Sequence, residues 1–290
     1  MMIQLGNQKF IDSNIDSFLK KLSEVQIGES VSIDFSQVEY LRPGAVIQLI
    51  ILSKMFFEKS GEKVQWIRIP KYRAIYLQRL GIEKIDFILI EWSPILWLYR
   101  NENKERVIPI EIISNRPQLG NITSETMRHL DEWFPNEKRT GFCQDAANIV
   151  MEIVNNSLDH SEYCTGNSPL CYYTIQKYQP RGDETYKPRV IIAFGDAGIG
   201  MRKSLSRRWG SVQTDAGAIK AALKGLSSRD DGEGGMGFKR VSSVLEKNKG
   251  HLTIRSGRAS LHYTYEQHGI KRNQRFHKEL LVGTQTSFLL

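Results

Sequence analysis

Residues 145–160, DAANIVMEIVNNSLDH, carry two stripes at helical spacing, and these stripes constrain the fold more than any other segment. The apolar stripe consists of Ala146, Ile149, Val150, Ile153, Ser157 and Leu158, and the polar stripe of Asp145, Asn148, Glu152, Asn155, Asn156 and Asp159. Asn and Asp favour helix less than Lys, Arg, Glu and Gln, by roughly a few tenths of a kcal/mol each. The segment therefore predicts a helix whose polar face is unusual for contact with water alone.

Glu152 and Asn156 stand four residues apart, so they lie one above the other on the same helix face. A carboxylate can hold a water molecule for attack, and an amide oxygen is a suitable ligand for Mg²⁺. Taken alone, the pair is also typical of an ordinary polar helix face.

A second motif is VIIAFGDAGIGM, residues 190–201, in which an apolar strand runs into Asp196, Gly198 and Gly200. Glycine adopts positive φ and lets the backbone approach a ligand closely. The Asp196 carboxylate, at the end of the strand, could accept a hydrogen bond from an exocyclic amino group. A simple turn is the alternative interpretation.

A third motif covers residues 227–250, where four glycines precede a helix that ends at Gly250; they are Gly232, Gly234, Gly235 and Gly237. Flexible backbone that leads into a helix N-terminus is typical of an anion site. Lys239 and Arg240 oppose the helix dipole there, which a bound phosphate would explain. A surface loop with incidental charges is the alternative.

The order of these three motifs, followed by GTQTSFLL at the end of the chain, resembles the GHKL ATPase superfamily. That superfamily includes DNA gyrase, heat-shock chaperones, histidine kinases and mismatch-repair ATPases, and the resemblance covers roughly residues 121–290. It implies a GHKL (Bergerat) two-layer α/β sandwich with a mixed sheet that binds ATP and Mg²⁺. The Asn-rich helix face is similar to the N box of the family, which faces Mg-ATP.

The resemblance also implies roles for individual residues. Glu152 resembles the general base, Asn156 the Mg²⁺ ligand, and Asp196 the residue that reads the adenine amino group. The further nucleotide contacts that it implies are Asp159, Gly198, Gly200, Gly232, Gly234, Gly235, Gly237, Lys239, Thr284 and Thr286. The resemblance does not choose between the two threonines for the remaining adenine contact.

Three functions remain open at this point. EIVNNSLD resembles the N box of gyrase and mismatch-repair ATPases, in which the Glu activates water, and this favours a slow ATPase that acts as a nucleotide-dependent switch for an unidentified protein partner. Anti-sigma serine kinases also keep a Glu and an Asn here, and DHSE, residues 159–162, resembles their continuation. A non-catalytic ATP-dependent interaction module is the third possibility.

The first half of the chain alternates strand and helix patterns, which predicts a small α/β domain over residues 1–105, followed by the ATP-binding domain over residues 106–290. Residues 31–61, VSIDFSQVEYLRPGAVIQLIILSKMFFEKSG, resemble the STAS domains of anti-sigma-factor antagonists. In that family the turn before the helix carries a phosphorylatable Ser, but residues 42–45 here contain no hydroxyl group. The resemblance therefore implies a docking or regulatory domain without that phosphoswitch.

Composition limits location and partners. No run of about 18 apolar residues occurs, which predicts no membrane span, and three cysteines form a sparse, odd set that favours a reducing cytoplasm. The net charge of +8 and two basic clusters, residues 201–209 and 269–278, are compatible with nucleic acid, an acidic protein or a phosphate ligand. Members of the GHKL superfamily often dimerise, so the resemblance is also compatible with a homodimer.

Overall fold

The computed structural model describes residues 1–5, 15–92, 106–135, 141–160, 171–178, 189–227 and 236–290. Within these ranges the protein is mixed α/β, with two separate sheets, so the general fold class predicted from the sequence is confirmed. The chain divides into two compact units, Met1–Ile110 and Glu111–Leu290, and the predicted boundary falls a few residues earlier. None of the described helices combines the length and apolar composition needed to cross a membrane.

The first unit contains a four-stranded parallel sheet in the order β1-β2-β3-β4. Its strands are β1 (Met2–Gln4), β2 (Ser32–Asp34), β3 (Val64–Ile67) and β4 (Ile88–Ile90), and its helices are α1 (Ile15–Glu24), α2 (Pro43–Ser60) and α3 (Lys71–Arg79). Parallel neighbours need crossover connections, which is why helices alternate with strands here. The sequence predicted this alternation from residue 30 onward but not β1 or α1.

Helix α2 is buried on nearly all sides because its sequence is apolar around the whole circumference. Pro43 opens the helix, where its missing N–H is not needed. Gly61 closes the helix: it has a left-handed φ of +79°, and its N–H donates to the Phe57 carbonyl at 2.8 Å.

The second sheet has five strands in the order β5-β6-β7-β9-β8, and its first strand, β5, spans the boundary between the units. The strands are β5 (Val107–Ile113), β6 (Cys171–Tyr178), β7 (Arg189–Asp196), β8 (His251–Glu266) and β9 (Gly269–Leu289). The pairs β6/β7, β7/β9 and β8/β9 are antiparallel. The helices are α4 (Gln118–Trp133), α5 (Phe142–His160), α6 (Gly200–Ser206), α7 (Asp215–Leu223) and α8 (Met236–Lys247).

Strand β8 folds back on itself at Gly257, whose φ is +62°. The Tyr265 N–H donates to the Gly250 carbonyl at 3.0 Å, and the His251 ring and Thr264 hydroxyl lie 3.1 Å apart across the two halves. Strand β9 changes neighbours at the same place: residues 269–276 pair with the second half of β8, and residues 284–289 pair with the first half and with β7.

Helix α5 buries most of its predicted apolar stripe, including Ala146, Ile149, Val150 and Ile153. Every residue of its polar stripe is partly buried, and none is fully exposed to solvent. Helices α4 and α8 both contact α5, so the unusual polar face lies beside protein rather than in bulk water.

Replacing Gly61 by Ala should destabilise the first unit by roughly 1 to 2 kcal/mol, because an L side chain is strained at a left-handed φ. The free energy of unfolding, measured by urea denaturation, tests this. Gly120→Ala in helix α4 is the matched control, since nothing lies within 4 Å of the added methyl group and φ is not left-handed. The control should leave stability unchanged or raise it by up to about 1 kcal/mol. Equal effects of the two changes would contradict the assignment.

Candidate functional site

A cavity lies between α5, the end of β7, α6, the start of α8 and β9. The empty space inside the cavity and at its solvent-filled mouth together measures about 750 Å³. The predicted site residues that line it are Asn156, Asp196, Gly200, Gly237, Thr284 and Thr286. Three distant parts of the sequence, each carrying one predicted motif, therefore meet at one cavity. Phe194, Met201 and Phe238 supply part of its apolar wall.

Asp196 is the buried acid of this cavity, with 6% of its surface exposed. Its Oδ1 accepts hydrogen bonds from the backbone N–H groups of Gly198, at 2.9 Å, and Thr284, at 3.3 Å, and the Ser157 hydroxyl also bonds to the carboxylate. Burial is the largest influence and raises the pKa of Asp196 to about 6, while these hydrogen bonds act in the opposite direction. An ionised carboxylate has about four acceptor positions, so Asp196 can still accept a hydrogen bond from a ligand.

Gly283 and Gly200 allow the backbone to close around this acid. Gly283 has a φ of +84°, and a Cβ atom there would collide with the Asp196 carbonyl oxygen. Gly200 has a φ of +77°, and a Cβ atom there would lie 3.2 Å from the Ser256 hydroxyl. The sequence predicted Gly200 as a site residue but missed Gly283, although the glycine that opens GTQTSFLL was a usable signal. Ser157 was placed only in the apolar stripe.

The two candidate threonines, Thr284 and Thr286, both line the cavity. Thr284 lies opposite Asp196 in the β7/β9 register, and its hydroxyl lies 3.1 Å from the Ser256 hydroxyl. Thr286 lies opposite Phe194 and is 4% exposed. The choice between them as a ligand contact stays a prediction.

The side chains of Glu152 and Asn156 lie next to the first turn of α8. The Arg240 Nη1 atom donates to Glu152 Oε1 at 2.6 Å. A Cβ atom on Gly237 would lie 2.8 Å from Glu152 Oε2 and 3.1 Å from Asn156 Nδ2. Only glycine therefore fits here without displacing these side chains. The Arg240 contact was not predicted, because the sequence places the two residues far apart.

The Asn156 side-chain nitrogen is buried and has no hydrogen-bond partner within the described ranges. A buried amide group without a partner costs roughly 1 to 3 kcal/mol, so such a group in a cavity wall points to a ligand or a water molecule. Rotation of the amide can present either its oxygen or its nitrogen to that position.

Glu152 does not itself line the cavity, and the remaining predicted residues lie elsewhere. Asp159 forms an ion pair with Arg116 and does not line the cavity. Lys239 is exposed on the first turn of α8 and does not line it either. Gly232, Gly234 and Gly235 lie outside the described residues, and Gly198 contributes through its bond to Asp196.

Comparison of the sequence with protein-family models and with curated proteins finds no match.

The raised pKa of Asp196 predicts a pH-dependent contribution to stability. Folding raises the pKa of the Asp196 carboxyl group from 3.8 to about 6. The protonated group therefore stabilises the folded protein fully at pH values below 3.8, and this contribution is lost as the pH rises through about 6. Asp196→Asn removes the titration. The unfolding free energy of the wild type should therefore fall relative to that of Asp196→Asn by on the order of 3 kcal/mol between pH values of about 4 and 7. Urea denaturation at several pH values measures it, and a constant difference between the two proteins would contradict it.

Proposed function

We propose that residues 111–290 form an ATP-binding domain of the GHKL type, and that the protein is a slow ATPase acting as a nucleotide-dependent switch for a protein partner. The observation that carries this proposal is the buried Asp196 carboxylate in the wall of a cavity that Asn156 also lines, where the Asn156 amide nitrogen has no hydrogen-bond partner among the described residues.

The base of the nucleotide would bind at Asp196. A buried carboxylate with an unused acceptor position selects a ligand that donates an N–H group, and the adenine amino group is such a donor. Phe194 and Met201 offer apolar surface for the ring. The two backbone N–H bonds to Asp196 fix its orientation, which favours one position of the base.

Asn156 and Gly237 would serve the phosphate end. Asn156 can present an amide oxygen, which suits Mg²⁺, and its nitrogen has no other partner within the described ranges. The absence of a side chain at Gly237 lets the backbone at the start of α8 approach this end closely. When bound, Mg²⁺ would supply neutralisation of phosphate charge.

Glu152 would act as the general base, and Arg240 would control it. In its ion pair with Arg240, one oxygen of the Glu152 carboxylate accepts a hydrogen bond from the guanidinium group and is therefore occupied rather than free to hold a water molecule. The Arg240 side chain is 53% exposed, and an ion pair that is open to solvent is worth about 0 to 1 kcal/mol. Phosphate oxygens can therefore draw Arg240 away at little cost, which releases Glu152 and moves the start of α8 at the same time.

The first unit would serve as a docking or regulatory module, as the STAS-like resemblance implies. Its parallel four-stranded sheet with alternating helices is compatible with that role.

Glu152→Gln should abolish phosphate release, with a loss of about a hundredfold or more, because the amide cannot take a proton from water. ATP binding should persist, since the substitution keeps the size of the side chain. Glu246→Gln on α8 is the matched control and should release phosphate like the wild type, because Glu246 is exposed near the C-terminal end of α8, away from Gly237 and Glu152. Label that passes from ATP to the hydroxyl of an added protein, instead of to water, would favour the kinase. ATP binding with no turnover in the wild type would favour the interaction module.

Arg240→Gln should weaken ATP binding by about tenfold, since one charge-assisted contact to phosphate is lost, and should leave AMP binding unchanged. Calorimetric titration with each nucleotide measures this difference. Lys247→Gln removes the second ion pair between α5 and α8, which joins Lys247 to Asp145 at 2.6 Å, and serves as the control. Equal weakening of ATP and AMP by Arg240→Gln would contradict a phosphate-directed role.

A further inference from the structure

The first half of β9 forms an outer edge of the second sheet. Residues 269–276 pair on one side with the second half of β8, from Glu266 opposite Gly269 to Ala259 opposite Phe276. No other described strand pairs with them. We call residues 269–278 the edge segment.

The edge segment is exposed on both of its faces. Phe276 is 74% exposed and Ile270 37%, and Leu280, just beyond the segment, is 49% exposed. Isolated apolar side chains on a surface need no explanation, but several along one unpaired strand indicate a contact surface.

The charge of the edge segment is entirely positive. Lys271, Arg272, Arg275 and Lys278 are exposed, and no acidic residue lies between them. Lys271 bonds to Glu266 at 2.8 Å, and the Arg272 guanidinium lies 5.9 Å from the Tyr263 ring centre. Arg275 and Lys278 form no ion pair with any described residue, so their charges are available to a partner.

An unpaired strand presents a row of backbone N–H and C=O groups to any strand that can approach it. Like charges repel a second copy of the same basic strand, and opposite charges attract an acidic one. We propose that the edge segment binds an extended acidic peptide of a partner protein, which adds to the sheet as a further strand. Backbone hydrogen bonds would supply affinity, and the basic and apolar side chains would select acidic residues interspersed with apolar ones.

A peptide fits these observations better than a nucleic acid does. A nucleic acid would use the positive charge but leave the row of backbone groups without matching partners. The same strand continues into Thr284 and Thr286 in the cavity wall, so a peptide on the edge segment and a ligand in the cavity would share β9.

A fluorescent peptide of alternating Glu and Val residues is the probe, and its binding to the full-length protein is measured by anisotropy without nucleotide. The peptide should bind, and a version that is N-methylated at alternate residues should bind about a hundredfold more weakly, because its charge is kept while the backbone donors are lost. A single-stranded oligothymidine should not displace the peptide. Equal binding of the N-methylated peptide, displacement by the oligonucleotide, or no binding of the peptide would each overturn the proposal.

Variants locate the binding surface. The double change Arg275→Glu and Lys278→Glu should weaken peptide binding by about tenfold or more, and Phe276→Ser should also weaken it. The matched controls lie in the first unit: Lys20→Glu with Lys63→Glu, both exposed, and Tyr72→Ser, at a side chain that is 79% exposed. Equal loss in the edge and control variants would overturn the proposed location. All of these positions are exposed, so thermal unfolding should be unchanged.

Discussion

The burial of the Asp196 carboxylate is the constraint on which the arrangement of the second unit depends. A charged group that leaves water must find donors, and here the donors come from three other places: the turn at Gly198, strand β9 through Thr284, and helix α5 through Ser157. The close approach of β9 requires glycine at position 283, because any side chain there would collide with the backbone of Asp196. Asp196 thus links three elements of the second unit through its hydrogen bonds. Its pKa is raised to about 6 because these hydrogen bonds do not fully replace the water that the carboxylate loses on burial.

The contact between α5 and α8 is of a different kind. It includes two ion pairs, Glu152 with Arg240 and Asp145 with Lys247, whose basic partners are 53% and 55% exposed. Such pairs contribute about 0 to 1 kcal/mol each, so they orient α8 without locking it. In the proposed nucleotide site, the hydrogen bonds around Asp196 would give a fixed end, and the weak ion pairs near Glu152 would give an adjustable end. This division is what a nucleotide-dependent switch requires, since the base must be recognised in one position while the phosphates move a neighbouring helix.

Local patterns in the sequence predicted much of this structure. The stripes of α5, the glycine that closes α2, the strands β6 and β7, and the two halves of β8 all follow from periodicity or turn residues that can be read within one segment. Helix α7 was missed because it is short and rich in alanine and so lacks a clear polar face, although Thr214 caps it by accepting from the Gly217 N–H at 3.0 Å. Strand β1 has only three residues and shows no alternation, whereas the equally short β2 and β4 lie within longer strand-like segments of the sequence. The Glu152–Arg240 pair and the close approach of Gly283 to Asp196 join residues distant in sequence, and only the packed sheet and helices bring them together.

The most direct test of the account is calorimetric titration of the full-length protein with ATP, with and without Mg²⁺, in parallel with Asp196→Asn. The account predicts Mg²⁺-dependent binding to the wild type at neutral pH and a loss of about tenfold or more in the variant, because the buried acceptor for the amino group of the base is weakened. GTP, which presents a carbonyl oxygen in place of that amino group, should bind more weakly than ATP to the wild type. Absence of ATP binding, or equal binding of ATP by the wild type and Asp196→Asn, would contradict the assignment of this cavity as a nucleotide site.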